Sequence, residues 1–132
     1  MRPLIDTNII SELMRRLPQA QVLDWADRQP GFLLSVIALE ELVFGLTRKN
    51  LPLKRQWLDD FLHHHCDILS VNPSIARTAG TLRGQLATRG LTRHPSDMLI
   101  AATALIHSVP LATRNTADFQ HCGLQLINPF TA

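Results

Sequence analysis

Two spacings of apolar residues alternate along the chain. Short, mostly apolar runs fall at Leu4-Ile5, Phe32–Ser35, Asp67–Val71, Val109–Ala112 and Leu124–Ile127. Each is too short for a stable helix and is bounded by turn residues or acids, as buried strands are. Longer stretches with apolar residues at helical spacing lie between them. They predict helices over Thr7–Arg16, Gln19–Arg28, Val36–Thr47, Lys54–His65, Pro73–Arg89 and Asp97–His107. The punctuation agrees with these limits. Pro30-Gly31 marks a turn, Ser35 and Asn72 are N-cap types, Pro73 suits a first helical turn, and Gly90 suits a helix end. In the last helix, Leu99, Ile100, Ala101, Ala102, Ala104 and Leu105 cover most of the circumference, so it should be buried between other elements. Strands alternating with helices predict an α/β fold with a mostly parallel, four- to five-stranded sheet and helices on both faces.

Composition narrows the class. The chain has 132 residues, 45% of them apolar, enough for one domain (1–132) with a real core. Its longest apolar and small-residue run, Met98–Ile106, is well short of the roughly 20 residues a bilayer demands. Asp6 interrupts the start before an apolar leader can develop, so a cytoplasmic location without a membrane is expected. Cys66 and Cys122 are then read as reduced thiols. Thirteen Lys and Arg against eleven Asp and Glu give a net charge of +2. An ordinary solvated surface explains that excess. If several acids were gathered in one pocket, however, the rest of the surface would be more basic and suited to a polyanion.

The acids are placed for such gathering. In open α/β sheets, ligands bind just beyond the carboxyl ends of the strands. Asp6 follows the first strand, Glu41 lies in the helix after the second, Asp97 begins the buried helix before the fourth, and Asp118 follows the fourth. Taken singly, each has a plain structural role: a cap or helix-dipole partner for Asp6 and Asp97, a turn for Asp118, an exposed helical position for Glu41. Glu40 and Glu41 point about 100° apart on a helix. Ala38, Glu41 and Gly45 share one face, Val36, Glu40 and Phe44 another, and periodicity leaves the choice between the two acids open. Four carboxylates converging on one crevice would repel unless protonated or neutralised by cations. Mg²⁺ or Mn²⁺ suits such an all-oxygen set and could activate water against a phosphodiester. Thr7, Asn8, Ser11, Thr113 and Asn115 could support the acids or simply cap and turn the chain.

These residues resemble a known family. Asp6-Thr7-Asn8-Ile9-Ile10-Ser11, Ser35 through Gly45, Asp97 through Ala104, and Thr113 through Phe119 look like the four successive motifs of PIN-domain proteins, and most like the VapC-like toxins of type II toxin–antitoxin modules. Asn128-Pro129-Phe130 is similar to their usual ending. The resemblance implies a metal-dependent endoribonuclease with Mg²⁺ or Mn²⁺ as cofactor. It selects Glu41 over Glu40, since the family's acid lies four residues before the glycine. It implies a catalytic set of Asp6, Glu41, Asp97 and Asp118, with Asp6 and Asp97 as metal ligands and Thr113 and Asn115 in support. It also implies a homodimer held silent by a small antitoxin.

Other features weigh less. His63-His64-His65 diverge by about 100° each on a helix and cannot converge on one zinc. Arg48, Lys49, Lys54 and Arg55 form the densest basic cluster and read as a solvated loop edge. Arg114, between two strand-end positions, is a candidate RNA contact. Trp25 and Trp57 sit on apolar helical faces and belong to the core. Two other functions fit the fold. A phosphoacceptor domain would want a second acid beside Asp6 and a late strand-end Lys, and the chain has neither. A non-catalytic interaction module would keep the fold without the chemistry.

Overall fold

The computed structural model of the chain describes residues 1–131, so Ala132 of the expected domain lies outside it. Five strands form one sheet: β1 (Leu4–Ile5), β2 (Phe32–Ser35), β3 (Cys66–Leu69), β4 (Leu111–Ala112) and β5 (Leu126–Ile127). Their order is β3-β2-β1-β4-β5, and every neighbouring pair is parallel. The helices are α1 (Thr7–Leu13), α2 (Ala20–Asp27), α3 (Val36–Arg48), α4 (Pro52–His65), α5 (Pro73–Thr88) and α6 (Pro95–His107), with a 3-10 turn at Thr116–Phe119. Crossovers from β1 to β2 to β3 run outward in one direction, and the crossover through α5 and α6 returns past them to β4. Right-handed connections therefore put α1–α4 and α5–α6 on opposite faces. No helix among the described residues is long and apolar enough to cross a membrane.

The core explains why such short strands hold. Leu4, Ile5, Leu34, Leu111 and Ala112 are fully buried in the sheet, and Ile9, Ile10, Leu58, Ile75 and Ile100 cover it from the helices. Helix α6 buries Met98, Ile100, Ala101, Ala102, Thr103 and Ala104, as its all-round apolar pattern predicts. The single hydroxyl in that run, Thr103 Oγ1, donates to the Leu99 carbonyl at 2.7 Å.

The sequence limits differ from the observed ones for identifiable reasons. Strand β4 begins at Leu111, not Val109, because Pro110 has no N–H for the ladder and the Val109 N–H is spent on Ala104 at the end of α6. Strand β3 ends at Leu69, not Val71, because its partner ends there: Ser35 faces Leu69. Helix α1 stops at Leu13, not Arg16. The Glu12 carboxylate accepts the Gln19 N–H at 2.9 Å and folds the chain back into α2. Helix α6 starts two residues early, at Pro95, with His94 as its N-cap.

Candidate active site at the carboxyl end of the sheet

Strand β1 is where the strand order reverses: its chain leaves toward β2 on one side and meets β4 on the other. That switch point is where α/β sheets open a crevice. Asp6 sits at its mouth, 6% exposed. Its N–H donates to the Ala112 carbonyl at 3.0 Å, which fixes it beside the end of β4. Thr113, the next residue on that strand, is fully buried.

The Asp6 carboxylate is held from three directions. Oδ1 accepts the Thr7 N–H at 2.8 Å, so Asp6 does cap α1. Oδ2 accepts the Thr113 hydroxyl at 2.9 Å and the Asn8 amide at 3.3 Å. Asn8 also donates to Thr113 Oγ1 at 3.2 Å and accepts the Arg114 N–H at 3.0 Å. The Asn115 N–H donates to Thr113 Oγ1 at 3.1 Å; its side chain makes no capping bond. The capping role and the site role of Asp6 thus coexist, each using a different oxygen.

Glu41 and Asp97 feel this charge. Burial first, then Asp6, Asp97 and Glu40, push the Glu41 carboxyl up, and His94 pulls it back. Burial first, then Asp6 and Asp118, push the Asp97 carboxyl up, again against His94. The charge of Asp6 thus acts on both Glu41 and Asp97, and that of Asp118 on Asp97. Asp118 lies on the 3-10 turn, exposed to solvent. Glu41 lines a groove with Thr7 and Ser11, while Glu40 turns to the outer face with Val43 and Phe44. Gly45, on the same face as Glu41, does not bring α3 against other backbone: a Cβ there would meet nothing within 4 Å. Arg114 is exposed beside Thr113. Its guanidinium lies 4.8 Å from the centre of the Phe130 ring.

Four residues take places that the sequence did not assign them. His94 has no ligand spacing, yet capping α6 places it beside Glu41 and Asp97; its position one turn before Asp97 was the available signal. Glu12, 5% exposed, anchors Gln19 and Arg15 instead of joining the crevice. Lys49 and Lys54 line the Glu41 groove. A hollow of about 580 Å³ lies at the opposite end of the sheet beside Arg2, Phe32, Trp57 and Cys66, and none of the four crevice acids lines it.

A cation fits the crevice by charge, since neighbouring carboxylates push Glu41 and Asp97 up. Among the described residues, no three His, Cys, Asp or Glu side chains stand close enough to enclose an ion unaided. Mg²⁺ does not require such a cage, because it keeps several waters and binds through one or two carboxylates plus substrate phosphate oxygens. Asp6, already oriented, and Asp97 are the two carboxylates that would supply such a pair.

A five-stranded parallel sheet with its acids at the switch point defines a class, and the comparisons agree. The chain belongs to the PIN-domain family, whose pattern matches residues 4–123. It is 35% identical to plasmid stability protein StbB of Pseudomonas syringae pv. tomato, over 98% of this chain and 99% of that one. It is 34% identical to VapC ribonuclease Y4jK of Sinorhizobium fredii, over 96% of each. It is 31% identical to toxin FitB of Neisseria gonorrhoeae, over 96% of this chain and 97% of that one. The crystal structure of FitAcB from Neisseria gonorrhoeae superposes with a TM-score of 0.84 at 30% identity, covering 98% of this chain and 99% of that one. That of VapBC2 from Rickettsia felis, bound to a DNA fragment from their promoter, gives 0.83 at 27% identity, covering 97% and 98%.

Proposed function

We propose that this protein is the endoribonuclease toxin of a type II toxin–antitoxin pair, hydrolysing phosphodiester bonds in RNA with Mg²⁺ or Mn²⁺ held by Asp6 and Asp97. The observation that carries the reading is the Asp6 carboxylate, locked by Thr113 and Asn8 at the switch point and coupled to Glu41 and Asp97. The ribonuclease and toxin names of the relatives support the same activity. A divalent ion in this crevice supplies Lewis acidity toward water and the phosphodiester. The chain's own residues set the geometry. Thr113 and Asn8 aim Asp6, Glu41 accepts a hydrogen bond from the attacking water across the groove, and Asp118 steers Asp97 by charge. Neither thiol is set for nucleophilic work. Cys66 lies at the far end of the sheet with its pKa pushed up to about 12 by burial and Asp67, and Cys122 packs on Met98 Sδ at 3.9 Å. The working form is a homodimer of 1–132 domains in the cytoplasm, bound and silenced by a small antitoxin.

The purified protein with labelled single-stranded RNA tests this directly. Cleavage is expected with added Mg²⁺ or Mn²⁺, none in excess EDTA, and full recovery when the ion is restored. Undiminished cleavage in EDTA would overturn the metal assignment. The same ion should raise the melting temperature of the wild type, since a ligand that binds only the folded state stabilises it; Asp6→Asn should show no such rise.

Thr113→Val tests the support of Asp6. It removes the one buried hydroxyl that holds Oδ2 and leaves the side-chain shape intact. Loss of an outer-shell partner of a metal ligand typically lowers metal affinity or activity by about 10- to 100-fold. That range is expected in an Mg²⁺ titration of the cleavage rate, and an unchanged titration would remove Thr113 from the site.

A further inference from the structure

The basic cluster Arg48, Lys49, Lys54 and Arg55 divides in the folded chain. Arg48 turns to the outer face of α3 beside Glu40 and Phe44. Arg55 is tied to Asp59, with Nε 3.4 Å from Oδ1. Lys49 and Lys54 instead line the groove that contains Glu41, Thr7 and Ser11, a hollow of about 320 Å³. Both are exposed. The ion pairs among the described residues are Arg2–Asp67, Arg15–Glu12, Arg28–Asp24 and Arg55–Asp59, so neither lysine is neutralised by an acid.

A second feature of the groove points the same way. Gly45 lies between Glu41 and Lys49 on α3, one turn from each. Glycine within a helix costs about 1 kcal/mol relative to alanine. Here no neighbouring atom demands it, because a Cβ at Gly45 would enter open space. The missing side chain keeps the groove clear between the acidic end and the basic end. The eight residues from Glu41 to Lys49 span about 12 Å of helix.

We propose that this groove is the substrate track: single-stranded RNA lies across Gly45, with its scissile phosphate at the acids and two flanking phosphates held, one each, by Lys49 and Lys54. Lysine ammonium groups bind phosphate as flexible point charges, without reading the base. The track therefore contributes affinity and direction and no sequence preference. The helix dipole is consistent with the arrangement, since Lys49 is the C-cap of α3, where positive charge is favoured. The assignment rests on the ribonuclease reading for its substrate, and binding without cleavage tests it separately.

The test is the salt dependence of RNA binding in EDTA, by fluorescence anisotropy with a short labelled single strand, alongside steady-state cleavage in Mg²⁺. For single strands, each phosphate contact contributes about 0.7 to the slope of log K against log salt. Lys49→Ala with Lys54→Ala should lower that slope by about 1.4, so the wild type loses about sevenfold more affinity than the double variant between 50 and 200 mM salt. KM should rise with kcat unchanged. Arg55→Ala, which removes the same charge from the adjacent residue, should leave slope and KM as they are. Gly45→Leu should raise KM while the melting temperature holds or rises. If the wild type cleaves RNA and the lysine variant keeps its slope and KM, the track is wrong and the ribonuclease reading survives. A fall half as large for Arg55→Ala, one charge removed against two, would reduce the effect to net charge and also overturn the track. If the wild type cleaves nothing yet the lysine variant alone loses slope, the track stands and the ribonuclease reading falls.

Discussion

Asp97→Asn lowers the rate of RNA cleavage by more than about 100-fold, while the protein stays folded and gains stability at neutral pH. The kinetic bound follows from position. Changing an outer-shell partner already lowers activity by about 10- to 100-fold, and Asp97 is assigned as a direct ligand. The stability gain follows from the sign of its titration. Burial first, then Asp6 and Asp118, push the Asp97 carboxyl above its ordinary range. The folded state thus holds that proton more tightly than the unfolded chain does. Stability from this group is fully present below the ordinary carboxylate pKa and is lost as pH rises through the raised one. Asn carries no charge, so the variant avoids the loss. Asp97 is partly exposed and screened, which limits the gain to on the order of 1 kcal/mol or less, or a rise of a few degrees in Tm. Melting curves across pH check it: the gap between variant and wild type should be widest near pH 7 to 8 and close in acid. A wild-type cleavage rate in Asp97→Asn would contradict the site assignment. A lower Tm at neutral pH would contradict the electrostatic reading.

Glu12→Ala is expected to have the opposite profile, with a large loss of stability and a smaller loss of activity. Glu12 is 5% exposed and accepts the Gln19 N–H at 2.9 Å, with Arg15 at 3.2 Å. Burial alone would push its carboxyl up, but the Gln19 N–H and Arg15 outweigh it and hold it below the ordinary range. The contribution of a lowered carboxyl is present above the ordinary pKa and fades as pH falls through the folded value. Alanine leaves the Gln19 N–H and the Arg15 guanidinium without their acceptor at the corner between α1 and α2. Orphaning a buried donor costs roughly 1–3 kcal/mol, which for a chain of this size lowers Tm by about 5–10 °C. The deficit should shrink below pH 4. A Tm within one degree of wild type at pH 7 would mean that the corner holds without this carboxylate.

These two acids show what the sequence discloses and what it does not. Asp6 and Asp118 stand out in the sequence because each follows an apolar run, and Asp97 because it opens the apolar helix. Glu41 was legible only by resemblance. Once α3 is seen, Glu41 faces Thr7 and Ser11 and Glu40 faces Phe44, a distinction of one helical step that periodicity left open. Glu12 lies six residues after Asp6, just past the first motif, and only the fold shows that it serves the α1–α2 corner. His94 joins the acids because α6 begins at Pro95, earlier than its apolar pattern indicates. Lys49 and Lys54 separate from Arg48 and Arg55 only when the direction of each side chain is known. The strand limits were misjudged at Pro110 and at Val71, where hydrogen-bonding partners, not apolar character, decide the ends.

An ion shared by Asp6 and Asp97 is the centre of the proposed site, and the position of Mn²⁺ in crystals soaked with it is the most direct measurement. Anomalous scattering locates the ion without reference to activity. The expected result is a peak roughly 2.1 Å, the hard-cation distance, from carboxylate oxygens of both Asp6 and Asp97, absent in Asp6→Asn crystals. A peak elsewhere, or one that persists unchanged in Asp6→Asn, would contradict it.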